Sequence, residues 1–353
     1  MTKKQIVNSV VAVSLSLVFI GIILASIFLG LFFGGVKPTV ETARFVAYIT
    51  QGSFSTTEDL DNMELDKYTH LIFAFADISE NGPYPTFYDE TPEGRVEKDD
   101  SAELRLLSSY LDANYPSVTL AVGFAHGAFC ETSKDEAKRK LFAEGCKEWM
   151  EEYNLDGFDV DWEYPDVGGC STCCRDHALL LAQMRETLGE DAVLSAAIAA
   201  WPAMISHLDV SSLNKSLSFV NVMTYDYAMD NHTPYDKTRN SMYYAHLAGF
   251  DKEKLNVGLP YYGRSVESDY WGYDGIADAI DSGELTLVET DNESYAYNSE
   301  MRHSFDTPKM IYKKAKLVRT CGYGGVFCWH LSCDRDYELI NAAYKAIADE
   351  PWE

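Results

Sequence analysis

Basic residues are few in this chain of 353 residues: Lys and Arg number 29 against 55 Asp and Glu, leaving a formal net charge of −26. So acidic a surface excludes recognition of nucleic acid or of an anionic surface by charge, because phosphate backbones are held by clusters of Lys and Arg. A neutral polymer is unaffected by it. No internal repeat or low-complexity tract is present, which excludes an array of equal units. No cysteine stands before Cys130, and no charged residue stands between Gln5 and Val36, a run of thirty-two.

That charge-free run contains the apolar stretch Val13 to Phe33. A secretory signal has an apolar core of about 7 to 15 residues, whereas a membrane-spanning helix needs about 20. The run is therefore read as an uncleaved transmembrane anchor, with a cleaved signal as the competing reading. Lys3 and Lys4 precede it, which keeps the short N-terminus in the cytoplasm and sends the rest across. The expected organisation is a cytoplasmic tip and anchor over 1–36, a linker over 37–43 and an exported domain over 44–353. Without Lys3 and Lys4 the formal charge falls from −26 to −28. All eight cysteines, Cys130, Cys146, Cys170, Cys173, Cys174, Cys321, Cys328 and Cys333, lie in the exported part. An even number in an oxidising compartment reads as disulfides, although spacing does not fix the pairing. The segment Cys170-x-x-Cys173-Cys174-x-x-His177 could instead hold zinc.

Eight short apolar, β-branched or aromatic runs follow: Phe45 to Thr50, His70 to Ala76, Thr119 to Gly123, Gly157 to Trp162, Val193 to Ala199, Phe219 to Thr224, Leu255 to Pro260 and Gly325 to Trp329. Between them, residues 102–111, 134–150, 175–188, 241–247, 309–319 and 337–348 carry helical spacing. Strands alternating with helices in this way predict an α/β fold closed into a (β/α)8 barrel, and the length allows one barrel plus an appendage. In such a barrel the chemistry sits at the C-terminal strand ends. Glu163 lies just past the fourth run, Tyr225 and Asp226 just past the sixth, and Trp329 closes the eighth.

The fourth run and its flanks read Asp156-Gly157-Phe158-Asp159-Val160-Asp161-Trp162-Glu163. In an extended strand Asp159, Asp161 and Glu163 share one face, while Phe158, Val160 and Trp162 share the other. Three neighbouring carboxylates repel, and acid/base chemistry is one reason to accept that cost; a structural network of acids is the other. A calcium loop needs glycine at its sixth position, where a register starting at Asp156 has Asp161.

The run resembles the active-site signature of glycoside hydrolase family 18, the chitinase-type hydrolases, which reads Asp-Gly-x-Asp-x-Asp-x-Glu. All five fixed positions are filled, and Tyr164-Pro165 suits the chitinase branch. Further segments in the expected order extend the resemblance over residues 44 to 348. It implies a hydrolase of β-1,4-linked N-acetylglucosamine glycans that needs no cofactor, and the charge-free run adds the membrane anchor. In that family the nucleophile is the substrate's own acetamido oxygen. Glu163 would then be the acid and base, and Asp161 would hold the acetamido N–H. Asp159 is placed to share a proton with Asp161, and Tyr225 matches the phenol that binds the acetamido oxygen. Asp156, of opposite parity, reads as structural support.

Trp329 matches the tryptophan under the reacting sugar, and Tyr48 and Phe75 resemble the aromatics of the first and second strands that line its pocket. Met223 and Asp226 match the sixth-strand segment, and Tyr262 and Arg264 the seventh. The segment 265–305 is similar to a shortened form of the insertion some members carry after strand seven. Two departures stand out. Many members place Ser-x-Gly-Gly-Trp after the third strand, where this chain has Ala121-Val122-Gly123-Phe124-Ala125, and a tryptophan after the first-strand tyrosine, where it has Gly52. Two stacking platforms for neighbouring sugars are therefore expected to be missing. The competing readings are an endo-N-acetylglucosaminidase or peptidoglycan hydrolase of the same family, and a lectin of the same fold, which typically loses the acid that Glu163 supplies here.

Overall fold

The computed structural model describes residues 37–92, 94–165, 172–266 and 270–352. The run read as a membrane anchor lies outside them, as does Cys170. Among the described residues no helix is long and apolar enough to cross a membrane.

In chain order the strands are β1 (Arg44–Thr50), β2 (His70–Ile78), β3 (Pro85–Thr91), β4 (Gly94–Lys98), β5 (Thr119–Gly127), β6 (Gly157–Val160), β7 (Val193–Ala199), β8 (Phe219–Met223), β9 (Leu255–Pro260), β10 (Tyr262–Ser265), β11 (Tyr270–Gly272), β12 (Thr286–Glu289), β13 (Ser294–Tyr297), β14 (Arg302–Phe305) and β15 (Gly325–Trp329). Strands β1, β2, β5, β6, β7, β8, β9 and β15 pair in parallel, and β15 returns to β1 to close the barrel. These are the eight strands expected from the sequence.

Alternation along each strand sorts the side chains into two cores. Phe45, Ala47 and Ile49 of β1 pack outward under the helices, whereas Val46 and Tyr48 point into the barrel with Ile72, Ala121, Phe219 and Phe327. The outer layer holds helices Ala102–Asn114, Glu136–Tyr153, Cys173–Leu188, Tyr235–Ala248, Pro308–Cys321 and Glu338–Ile347, among others. Capping sets where two of them start. The Asp135 carboxylate accepts from Ala137 N and Lys138 N, so the helix expected from 134 begins at Glu136, and Thr307 caps a helix that opens on Pro308, one residue before the expected start.

Four expectations change. The fourth strand ends at Val160, not Trp162, so Glu163 belongs to the rim. The insertion starts at Tyr262 and is a five-stranded sheet, β11-β10-β14-β13-β12, with helix Tyr273–Asp281. A hairpin, β3 and β4, extends β2 where the sequence showed no strand. The disulfide expectation narrows: Cys173 is disulfide-bonded, but no such bond joins two of the described cysteines. Cys130 and Cys173 bring their sulfurs to 3.3 Å, against an S–S bond of about 2.05 Å. Cys146, Cys321, Cys328 and Cys333 sit on separate elements. Among the described residues no cluster of His, Cys, Asp and Glu could hold a metal. His177 packs instead against Trp162, with ring centroids 5.7 Å apart, and burial pushes its pKa down to about 4.

Two details position the site. A Cβ on Gly157 would meet the Val193 carbonyl oxygen at 1.7 Å, so only glycine lets β6 and β7 approach this closely. The Asp156 carboxylate accepts from Leu120 N at 2.7 Å and anchors β5 beside it, the supporting role its parity suggested.

Candidate active site

Past the end of β6 the chain delivers its three acids at increasing height. Asp159 is fully buried inside the barrel, Asp161 is 5% exposed, and Glu163 stands exposed on the rim. Asp161 N donates to Phe124 O at 2.8 Å, so the ladder to β5 continues one residue beyond the strand and fixes the height of that carboxyl. On the opposite face Trp162 stacks on Phe129 at 5.3 Å and ties the segment to the outer layer.

The acids open into a cavity of about 270 Å³ lined by Phe75, Ala125, Asp161, Glu163, Tyr164, Met223, Tyr225, Asp226, Tyr262, Arg264 and Trp329. Nine of the eleven site residues expected from the sequence line it. The other two, Asp159 and Tyr48, lie beneath its floor. Tyr48 does not line the pocket as expected; its hydroxyl donates to Asp159 Oδ2 at 2.8 Å. Trp329 forms one wall, stacked on Phe75 at 5.4 Å and tilted against Tyr48 at 5.5 Å.

The electrostatics separate the three acids. Burial raises the Asp159 carboxyl to about 6, the hydrogen bonds from Ser195 Oγ, at 2.6 Å, and from Tyr48 offsetting part of the rise. Asp161 lies well above the usual carboxylate range because of burial, then of the charges of Glu163 and Asp159. Its Oδ1 is buried and has no hydrogen-bond partner among the described residues. Asp159 thus has two donors that favour its ionised form, and the proton of the pair rests on Asp161. Burial and the charge and hydrogen bond of Glu163 push the Tyr164 phenol up, while burial pushes Tyr225 up with further contributions from Tyr262, Asp161 and Glu163.

Across the cavity Asp226 adopts a left-handed backbone, φ 55°, which a non-glycine residue takes only when its surroundings over-determine it. The surroundings are dense. Arg264 grips the carboxylate in a fork, Nε to Oδ1 at 3.1 Å and Nη2 to Oδ2 at 3.2 Å, and the Tyr262 hydroxyl donates at 2.7 Å. His232 Nδ1 adds a contact at 3.2 Å. Burial alone would raise this carboxyl, yet those bonds hold it well below the usual range.

Sequence reading missed Ser195 and His232. Ser195 faces inward by strand parity, which was legible; His232 lies in a loop without periodic signal. Buried Lys314 holds that loop, its Nζ donating to Thr233 O at 2.6 Å and to Asp306 Oδ2 at 2.6 Å. The two expected departures are visible in space. Ala125 lines the cavity without an aromatic, and Gly52 has a φ of 80° with nothing within 4 Å of an added Cβ. Beside it a second cavity of about 570 Å³, also bordered by Phe75, runs under Tyr88, Arg95, Lys98 and Glu103 of the hairpin and the following helix.

A closed parallel barrel with a carboxylate ladder and an aromatic wall at its C-terminal rim defines a (β/α)8 protein whose site is suited to acid/base work on a sugar-sized ligand. Residues 44–334 match the family described as Glycosyl hydrolases family 18, and the chain belongs to that family. Among curated proteins it is similar to Chitinase 1 of Aphanocladium album, 27% identical over 271 residues that cover 63% of this chain and 63% of that protein. The chain spans 63%, 40% and 59% of the lengths of this protein, Chitinase A1 of Niallia circulans and Chitinase C of Streptomyces lividans, respectively. Its fold resembles the class V chitinase of Nicotiana tobaccum, with a TM-score of 0.74 at 21% identity, covering 86% of this chain and 98% of that one. A family 18 N-acetylglucosaminidase from Paenibacillus barengoltzii gives 0.72 at 24% identity, covering 86% and 99%.

Proposed function

We propose that the chain hydrolyses β-1,4-linked N-acetylglucosamine glycans with retention, by substrate-assisted catalysis. The observation that supports this most is the buried, unpartnered Oδ1 of Asp161 facing the same cavity as Glu163. An acceptor left open in a buried site is costly unless a ligand completes it, and an acetamido N–H fits it. In the first step Glu163 gives its proton to the glycosidic oxygen as the C1–O bond breaks, and the acetamido carbonyl oxygen bonds to C1. Asp161 holds the N–H and faces the developing positive charge, its proton passing toward Asp159. In the second step Glu163 takes a proton from water as the water oxygen attacks C1 and opens the ring. Tyr225 binds the acetamido oxygen, and Trp329 with Phe75 carries the sugar face. Met223, Asp226, Tyr262 and Arg264 hold its polar edge. The test is to incubate the full chain with chitooligosaccharides, glycoproteins and peptidoglycan and identify products by mass. Release only from glycoproteins would favour the endo-N-acetylglucosaminidase reading, which the bare positions Gly52 and Ala125 support.

The missing platforms give an expected outcome. A stacked aromatic contributes about 1 kcal/mol of contact by analogy with aromatic pairs, and a polymer multiplies such contacts. Short soluble chains should turn over while crystalline chitin is degraded poorly. Ala125→Trp should then tighten binding of long oligomers more than of dimers and trimers, as measured by calorimetry; equal gains for all lengths would refute the platform argument. Gly52 is the poorer place for the same change, because its left-handed backbone strains any side chain.

The charge-free run 5–36 supports, as part of the same proposal, a single-pass anchor with the barrel on the non-cytoplasmic side. Full-mass protein should sediment with membranes and resist carbonate extraction. A soluble product that starts after the run would show a cleaved signal instead.

A further inference from the structure

The interior of a (β/α)8 barrel is ordinarily filled with layers of branched apolar side chains. Val46, Ile72, Ala121, Phe219 and Phe327 follow that rule here, but a column of polar side chains crosses the lumen beside them. It begins at Arg44, the first residue of β1 and so at the end of the barrel away from the cavity. Arg44 Nε donates to Asn256 Oδ1 of β9 at 3.0 Å, and Asn256 Nδ2 donates to Asn221 Oδ1 of β8 at 2.9 Å. Asn221 Nδ2 donates to the Tyr48 hydroxyl at 3.2 Å, and Tyr48 donates to Asp159 Oδ2 at 2.8 Å. Asn221, Asn256 and Asp159 are fully buried, and Tyr48 is nearly so.

All four hydrogen bonds run the same way, from a guanidinium at one end to a carboxylate at the other. Each link polarises the next, because an amide whose oxygen accepts becomes a better donor through its nitrogen, and bonds in such a chain strengthen one another. If the column served only to fill space, apolar residues of similar volume would do so without desolvating two amides and part of a guanidinium. It ends toward the cavity at Asp159, below Asp161.

We propose that Arg44, Asn256 and Asn221 are positioning residues of the reaction, a one-way hydrogen-bond relay that fixes the Asp159 carboxylate under Asp161 from the far end of the barrel. The inference rests on the substrate-assisted reading given above. The groups facing Asp159 are Asp161 from its own segment, Tyr48 of β1 and Ser195 of β7, with Glu163 acting on Asp161 and Tyr225 on Tyr48. The neighbouring β5 residues, Ala121 to Phe124, bring no titratable side chain. With the relay cut, Tyr48 becomes a weaker donor and Asp159 is harder to ionise, so the doubly protonated pair persists to higher pH.

The test uses the full chain, chitotetraose hydrolysis and the near-isosteric variants Asn221→Leu and Asn256→Leu, with Arg44→Met as the end-of-chain variant. Each should lower kcat about three- to tenfold, leave KM within about twofold, and move the acid limb of the kcat profile to higher pH, as expected when a polarised network loses one link. Asn221→Leu should have no further effect in a Tyr48→Phe background, because the relay acts only through that hydroxyl; a packing defect would add to it instead. Unchanged kcat and acid limb in folded variants, or an undiminished effect on top of Tyr48→Phe, would overturn the relay. Should the Leu variants fail to fold, Asn221→Ser and Asn256→Ser, which shorten the donors, give the same reading. Glu163→Gln run alongside separates the two levels: if it is inactive while the relay variants behave as wild type, only the relay falls.

Discussion

Glu163→Gln is expected to reduce kcat on chitooligosaccharides about 100- to 10,000-fold, the range that a positioned general acid supplies. Glu163 lies two residues beyond Asp161, past the point where β6 has ended, and its carboxyl lines the cavity from an exposed position. Exposure means that the substitution removes no buried contact, so the fold should unfold at the wild-type temperature. Glutamine keeps the shape and the hydrogen bond to Tyr164 but has no acidic proton. Only the transition state needs that proton, so the affinity for oligosaccharide should stay within about threefold. Turnover measured by product mass and affinity measured by calorimetry check both halves. Activity within tenfold of wild type would remove Glu163 from the acid role and with it the mechanism proposed here.

Much of the barrel and its rim was legible in the sequence because strand burial leaves a period that survives in composition. Eight runs such as Phe45 to Thr50 and Leu255 to Pro260 correspond to the eight barrel strands, since both faces of a parallel strand are covered and the run stays apolar. Glu163, Tyr225, Asp226 and Trp329 stood out by their place at the ends of those runs, and the other site residues came from the resemblance to the family. What escaped has different physics. The hairpin β3 and β4 is half-exposed, with a burial pattern at β4 that shows no apolar face, so it leaves no periodic mark. Tyr48 was assigned to the wall through its resemblance to the family's first-strand aromatic. Its true place under the floor depends on Asp159 and Asn221, which are 111 and 173 residues away in sequence. The relay was invisible for the same reason: an asparagine in an apolar run gives no sign of its partner until the barrel closes. The pairing of the cysteines was not legible, because an even count carries no information about which strands or helices bring two sulfurs together.

Asp161→Asn is the second large effect expected, about 100- to 1,000-fold in kcat, comparable to removing one preorganised group from a site where charge develops. The carboxyl is buried above Asp159, and burial together with the charges of Glu163 and Asp159 raises it far above its usual range. At rest it is therefore the protonated member of the pair. When positive charge appears on the acetamido group, the ionised form becomes the favoured one, and the proton can move toward Asp159 without leaving the site. Asparagine matches the shape and offers an acceptor oxygen to the N–H, but it cannot become an anion, so binding should persist while turnover falls. The sign of the argument can be checked from the substrate side. A chain whose cleaved sugar bears a free amine has no carbonyl oxygen to form the ring, so the wild-type protein should leave it intact, and Asp161→Asn should change nothing on that substrate. Burst-free, slow kinetics on the acetylated chain with no covalent enzyme adduct by intact mass would agree with a nucleophile supplied by the substrate. Efficient cleavage of fully deacetylated polymer, or a trapped glycosyl-enzyme ester on Asp161, would instead assign the carboxylate itself as nucleophile.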